Sequence, residues 1–312
     1  MKKSAVSAQP YPALELQSGH QLTLLAFAWI ATLAVSNLPN ILIQELGLDM
    51  PVSLLGAKLG LLAVFFALTF LWKAVQPLRR YFAIFVIFLA AEALTGWIGA
   101  TPQWRAWFGS TSTFGTTLLG SQLLRLALAL FMVAVLWAIY RRPRDFFLAP
   151  GDLGATAAPI RWLIDRPMSW RRLGWISALC ITLGTLAFLV IFGQPSFADA
   201  GRLLPLIPFV LLFALLNAFS EELAYRASLL APLRDAVGST HALLLTAALF
   251  GLWHFYGVPY GVVGVIMSGA LGWYLGKSML ETKGMFWAWF IHFWQDVAIF
   301  TFIALGSIVP GG

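Results

Sequence analysis

Charge is what this 312-residue chain has least of: Asp, Glu, Lys and Arg make up 11% of it, against 60% hydrophobic residues. A soluble domain carries about twice that charged fraction. A soluble globular fold is therefore excluded, and the chain reads as an all-α, polytopic membrane helical bundle. Cysteine is nearly absent. The one thiol, Cys180, lies within an apolar stretch. It excludes an internal disulfide and a cysteine-based metal site, and is expected to pack rather than react. The His-Glu-x-x-His spacing of zinc proteases does not occur, nor does an internal repeat of the kind many transporters show. The basic surplus, net +7, falls in connections between apolar segments. It is read as an orientation signal, with no nucleic-acid partner.

What is present is a series of nine apolar stretches of roughly membrane-spanning length. They cover about 22–44, 52–75, 81–99, 118–139, 173–193, 203–230, 240–256, 261–277 and 285–306. The polar segment before them, with Lys2 and Lys3, reads as a short cytoplasmic tail, and the first stretch as a retained anchor. Lys73, Arg79 and Arg80 surround the turn after the second stretch. Arg141, Arg142, Arg144, Arg161, Arg166, Arg171 and Arg172 follow the fourth, Arg234 the sixth, and Lys277 and Lys283 the eighth. The alternate connections carry only Arg105 and Arg202, and residues 306–312 carry no basic residue. This alternation predicts the N-terminus inside and the C-terminus outside; eight or ten spans would break it. The connection 141–172, with four prolines and a Trp-Arg-Arg run, is expected along the cytoplasmic interface. It divides the chain into a tail and four accessory helices (1–140) and a five-helix membrane domain (173–312).

Three intramembrane polar clusters stand out, all in the second part. Leu203 to Phe219 is seventeen residues without a charge; then come Ser220-Glu221-Glu222-Leu223-Ala224-Tyr225-Arg226. Glu222 and Arg226 are i,i+4 and are expected to neutralise each other, with Glu221 on another face. Phe250 stands one turn before His254, and His292 one turn before Asp296. Measured from the cytoplasmic helix ends at the helical rise, Glu221 lies about 16 Å deep, His254 about 20 Å, His292 about 12 Å and Asp296 about 18 Å. Helix tilt absorbs such differences, so the clusters are expected to meet in one pocket. Ionisable groups at that depth are costly and point to function, although a purely structural ion network would use the same residues.

Glu-Glu-x-x-x-Arg, Phe-x-x-x-His and His-x-x-x-Asp, in that order over about residues 203–300, resemble the CAAX protease and bacteriocin-processing family, also known as type II CAAX prenyl endopeptidases and abortive-infection proteins. The resemblance implies an intramembrane glutamate-dependent peptidase without a cofactor, acting on a peptide or protein substrate at the bilayer. Glu221 would activate water with help from His254. His292 and Asp296 would occupy the oxyanion-stabilising positions, and Glu222, Arg226 and Phe250 would support the site. Many relatives have Asn where this sequence has Asp296. An ionised Asp only accepts, so Asp296 is expected either to orient His292 or to donate while protonated. Zinc on Glu221, His254 and His292 is the alternative chemistry. A bacteriocin self-immunity or scaffold protein, and a proton-coupled transporter, are the alternative functions. Substrate identity and oligomeric state are left open.

Outside the clusters, Glu92 and Arg125, with Gln122 nearby, are expected to pair across antiparallel helices or to line the accessory side of the pocket. Lys58 is expected to snorkel. Tyr225, i+4 from Glu221, is expected to bond it or to pack. Trp253, Trp287, Trp289 and Trp294 are expected in packing or along an apolar substrate groove.

Overall fold

In a bilayer every backbone group must be satisfied within the chain, so apolar stretches of this length become helices. The computed structural model describes residues 19–109, 114–160, 166–193 and 197–306. Readings that rest on residues 1–18 (Lys2 and Lys3 included), on Arg161, on the Arg202 side chain or on residues 307–312 lie outside the described residues. In order come α1 (Gly19–Val35), α2 (Leu38–Glu45), α3 (Leu54–Leu71), α4 (Arg79–Ala100), α5 (Pro102–Phe108) and α6 (Phe114–Tyr140). A two-residue ladder of β1 (Thr156–Ala157) with β2 (Met168–Ser169) precedes α7 (Trp170–Gly193). Then follow α8 (Ile207–Ser220), a π-helix (Glu221–Ala227), α9 (Ser228–Trp253), α10 (Val262–Thr282) and α11 (Phe286–Ala304).

Among the described residues six helices are long and apolar enough to cross a membrane, or seven if α1 and α2, bent by 50°, form one span. Large apolar side chains such as Ile30, Phe70, Leu71, Leu179 and Ile191 remain exposed, a surface suited to acyl chains. The chain is an integral, multi-pass membrane protein.

One of the six runs from Leu203 to Trp253, yet it is not straight. Gly238, at φ 78° and ψ 165°, adopts backbone angles that favour glycine. Beyond it the chain doubles back: the Tyr225 and Trp253 rings lie 4.8 Å apart, where a continuous helix would separate them by about 42 Å. The sixth and seventh apolar stretches are thus an antiparallel pair. α10 packs closely on the second of them through glycines. A Cβ at Gly272 would press on the Phe250 ring, and one at Gly276 on Leu243 beside Arg226. Small residues of this kind let membrane helices approach. Gly276→Val is expected to destabilise the fold by about 1–3 kcal/mol through overpacking. A thermal midpoint in detergent equal to that of the wild type would show instead that Leu243 moves aside freely.

A single core joins the two parts of the chain, with Val35, Phe85 and Met132 in the same cluster as Leu223, Leu249 and Ile291. The described part of the connection 141–172 is built into the end of the bundle. Phe146, Phe147 and Trp170 are buried. Asp152 N donates to Thr282 O at 2.7 Å and Met285 N to Ala149 O at 3.0 Å, which satisfies backbone groups left open where α10 ends and α11 begins. Lys277 corrects its reading as a loop charge: it is buried in α10 and paired with Glu281, which also accepts from Trp170 Nε1 at 2.8 Å. Lys58 does not extend out of the bundle as expected of a snorkelling lysine; it is buried and donates to Asn40 Oδ1. Cys180 is exposed on α7 rather than packed.

Candidate active site

At Ser220 the α-helix widens into the π-helix that carries Glu221 to Ala227. Such wide turns are rare and recur at functional sites. The expected Glu222–Arg226 ion pair forms and is buried. The Arg226 guanidinium lies 4.3 Å from the Phe250 ring centroid, a cation–π contact in a dry setting. Glu222 Oε1 also accepts from His292 Nδ1 at 2.8 Å. Glu222 therefore ties the helix of the first motif to that of the third.

Glu221 occupies the other face. Its Oε1 accepts from Arg125 Nη1 at 2.5 Å and from Asn217 Nδ2 at 3.2 Å. Its Oε2 lies 3.8 Å from His292 Nε2 and 4.0 Å from His254 Nε2. His254 Nδ1 is 2.7 Å from the Phe250 carbonyl oxygen. A carbonyl can only accept, so Nδ1 carries the hydrogen and Nε2 of the neutral ring offers a lone pair toward Glu221. By the same reasoning His292 Nδ1 donates to Glu222, leaving Nε2 between Glu221 and Asp296, whose Oδ1 is 3.6 Å away. Asp296 Oδ2 accepts from Asn217 Nδ2 at 3.0 Å. Asn217 Oδ1 in turn accepts from Arg125 Nη1 at 3.0 Å and Gln122 Nε2 at 3.4 Å. Those donors fix the amide's orientation and leave its two N–H groups for the two carboxylates.

Glu221, His254, His292 and Asp296 thus come together, with Glu222, Arg226 and Phe250 beneath them. Of the two roles expected for Glu92 and Arg125, Arg125 takes the second: it lines the accessory side of the site on Glu221, while Glu92 lies beside the Tyr225 hydroxyl. Tyr225 likewise takes the second of its expected roles and packs between Phe88 and Trp253. Asn217 went unread in the sequence, although its place one helical turn before Glu221 is the available signal. The tryptophans divide by role. Trp253 meets Tyr225 edge to face, Trp287 is buried against Gly174, and Trp294 packs edge-on to Phe290 and Phe293. Trp289 lines an apolar cavity of about 330 Å³ with Leu148, Pro150, Phe219 and Phe286.

The site is open on one side. The side chains of Glu221, His292 and Asp296 are at most 9% exposed, whereas those of His254 and Arg125 are 35% and 43% exposed. The loop beyond His254 is tied back to α2 by the Tyr260 hydroxyl, which donates to Glu45 Oε1 at 2.5 Å. That bond pushes the phenol up to about 12.

Among the described residues no group of three or more His, Cys, Asp or Glu side chains is arranged to hold a metal ion. Tetrahedral zinc ligands sit about 3.4 Å from one another, closer than the Glu221–histidine separations, and Glu221 Oε1 is already taken by Arg125.

Residues 203–298 match the family model described as Type II CAAX prenyl endopeptidase Rce1-like. The matched segment contains Asn217, Glu221, Glu222, Arg226, Phe250, His254, His292 and Asp296, and excludes Gln122 and Arg125. No curated protein and no solved structure matches the chain.

Proposed function

We propose that the chain is a membrane-embedded, metal-independent endopeptidase that hydrolyses a peptide bond of a membrane-associated substrate or near a substrate's C-terminus. The observation that carries this reading is the pair of gaps, 3.8 and 4.0 Å, between Glu221 Oε2 and two imidazole nitrogens. Neither gap is closed by a direct hydrogen bond, so Oε2 and both nitrogens keep capacity for a water. Glu221 takes a proton from the water, and His254 Nε2 accepts the water's second hydrogen bond and aims its oxygen. That oxygen bonds to the substrate carbonyl carbon, and the carbonyl electron pair moves onto its oxygen. The imidazolium form of His292 donates from Nε2 to this oxyanion. As the oxyanion's electron pair re-forms the carbonyl, the C–N bond breaks and the amine leaves with the proton held by Glu221; the products are a carboxylic acid, which keeps the water's second hydrogen, and an amine. Asp296, an acceptor on Asn217, steadies His292 and is not itself the oxyanion donor.

The family match supports a peptidase. The alternation of basic residues supports nine crossings, with the N-terminus inside, the C-terminus outside and the site reached from the cytoplasm, and the reversal at Gly238 lets the sixth and seventh stretches cross separately. The apolar cavity beside Phe219 and Trp289 suits an apolar part of the substrate. The cell membrane is the corresponding location.

Comparative peptidomics of membranes from cells producing the wild-type or the Glu221→Gln chain tests the proposal. New peptide termini are expected only with the wild type, and unchanged by chelators. Identical profiles overturn it. Loss on chelation, restored by zinc, selects the metalloprotease alternative. Full bacteriocin protection by the Glu221→Gln chain, with identical profiles, selects self-immunity.

A further inference from the structure

We infer that Arg125 of α6, acting together with Asn217, is a positioning residue for Glu221, so that the site is completed by the N-terminal part of the chain. The inference rests on the peptidase reading above. A carboxylate has two equivalent oxygens and rotates freely unless held, whereas a base must present one of them to the water. Here the two oxygens are made unequal. Oε1 is taken by Arg125 Nη1 and Asn217 Nδ2, while Oε2 is left toward the histidines.

Asn217 does not hold this arrangement unaided. Its amide nitrogen bridges Glu221 Oε1 and Asp296 Oδ2, at 3.2 and 3.0 Å. A neutral amide holding two carboxylates together leaves their repulsion uncompensated. Arg125 places positive charge there, with Nη1 on both Glu221 Oε1 and Asn217 Oδ1. The other nearby guanidinium, Arg226, is committed to Glu222. Without Arg125, Oε1 loses its strongest donor and Glu221 is drawn onto the two imidazoles, which takes up its capacity for a water. The half-exposed Arg125 side chain lies, with His254, on the less buried side of the site. Nothing in the matched segment 203–298 supplies this group.

The full-length chain is purified in detergent and assayed on a peptide identified by the peptidomics, with Arg125→Gln, Arg125→Lys and Asn217→Ala variants. Arg125→Gln is expected to lower kcat about 100-fold, the scale of a misplaced catalytic group, with KM within about threefold. Arg125→Lys is expected to recover about tenfold of that loss, and millimolar guanidinium to restore part of the Arg125→Gln activity. The Asn217→Ala, Arg125→Gln double variant is expected to be no worse than the poorer single one, because residues that act as a unit do not add. Arg125→Gln turning over at the wild-type kcat overturns the inference alone. So does a loss that neither Lys nor guanidinium relieves and that comes with a lowered thermal midpoint, which assigns Arg125 to structure only. A wild-type chain that cleaves nothing overturns the peptidase reading instead.

Discussion

Glu221→Gln and His254→Ala are each expected to lower kcat/KM by about 10²–10⁴-fold, the usual contribution of general acid–base catalysis, with little change in thermal midpoint. Gln keeps the shape of Glu221 and an oxygen for Arg125 Nη1, but it cannot take a proton from water. His254 is about one-third exposed, and its short contact is to a carbonyl of its own helix, so its loss removes no tie between helices. Both groups act on the same water, so the double variant is expected to fall no further than the poorer single variant. Steady-state rates on the identified peptide, alongside thermal unfolding in detergent, check both points. A double variant that multiplies the two losses would mean that the residues act in separate steps.

The next glutamate along the chain is expected to behave in the opposite way. Glu222 accepts from Arg226 and His292, all three buried. Arg226→Ala is expected to cost about 3–5 kcal/mol of stability, because it leaves an uncompensated buried carboxylate. Activity then falls because the chain unfolds or His292 loses its anchor. Replacing Glu222 and Arg226 together by Met is expected to return part of the stability, since a well-packed apolar pair often equals a buried ion pair. The recovery is incomplete because His292 Nδ1 is left without its acceptor. Thermal midpoints of the single and double variants decide the matter. A single variant as stable as the wild type would show that the pair is not what holds these helices.

This contrast between neighbours was legible in the sequence. The i,i+4 spacing assigns Arg226 to Glu222 and not to Glu221, and helical rise brings the three polar clusters to comparable depth. Arg125 was not legible in the same way. Spacing along α6 says nothing about which of two acids, Glu92 or Glu221, lies across from it, and the π-turn shifts every side chain after Glu221 from its α-helical position. Lys58, Lys277 and Cys180 were misread for a related reason. A residue of an apolar stretch, at its end or within it, meets water, lipid or a neighbouring chain segment according to how the helices pack, and composition is silent on that choice.

Local chemistry is what the sequence determined by itself: apolar stretches that must be helical in a bilayer, a glycine able to reverse the chain, and acids and imidazoles too costly to sit at depth without partners. Only the tertiary structure decided which partners those are, that the described part of the connection 141–172 is built into the bundle end, and that Arg125 reaches Glu221 from the other part of the chain. The physical reason is range. Helix formation and i,i+4 pairing are set within a few residues, whereas contacts between Arg125 and Glu221, or His292 and Glu222, depend on how whole helices pack, which glycine faces and the backbone break at Gly238 control.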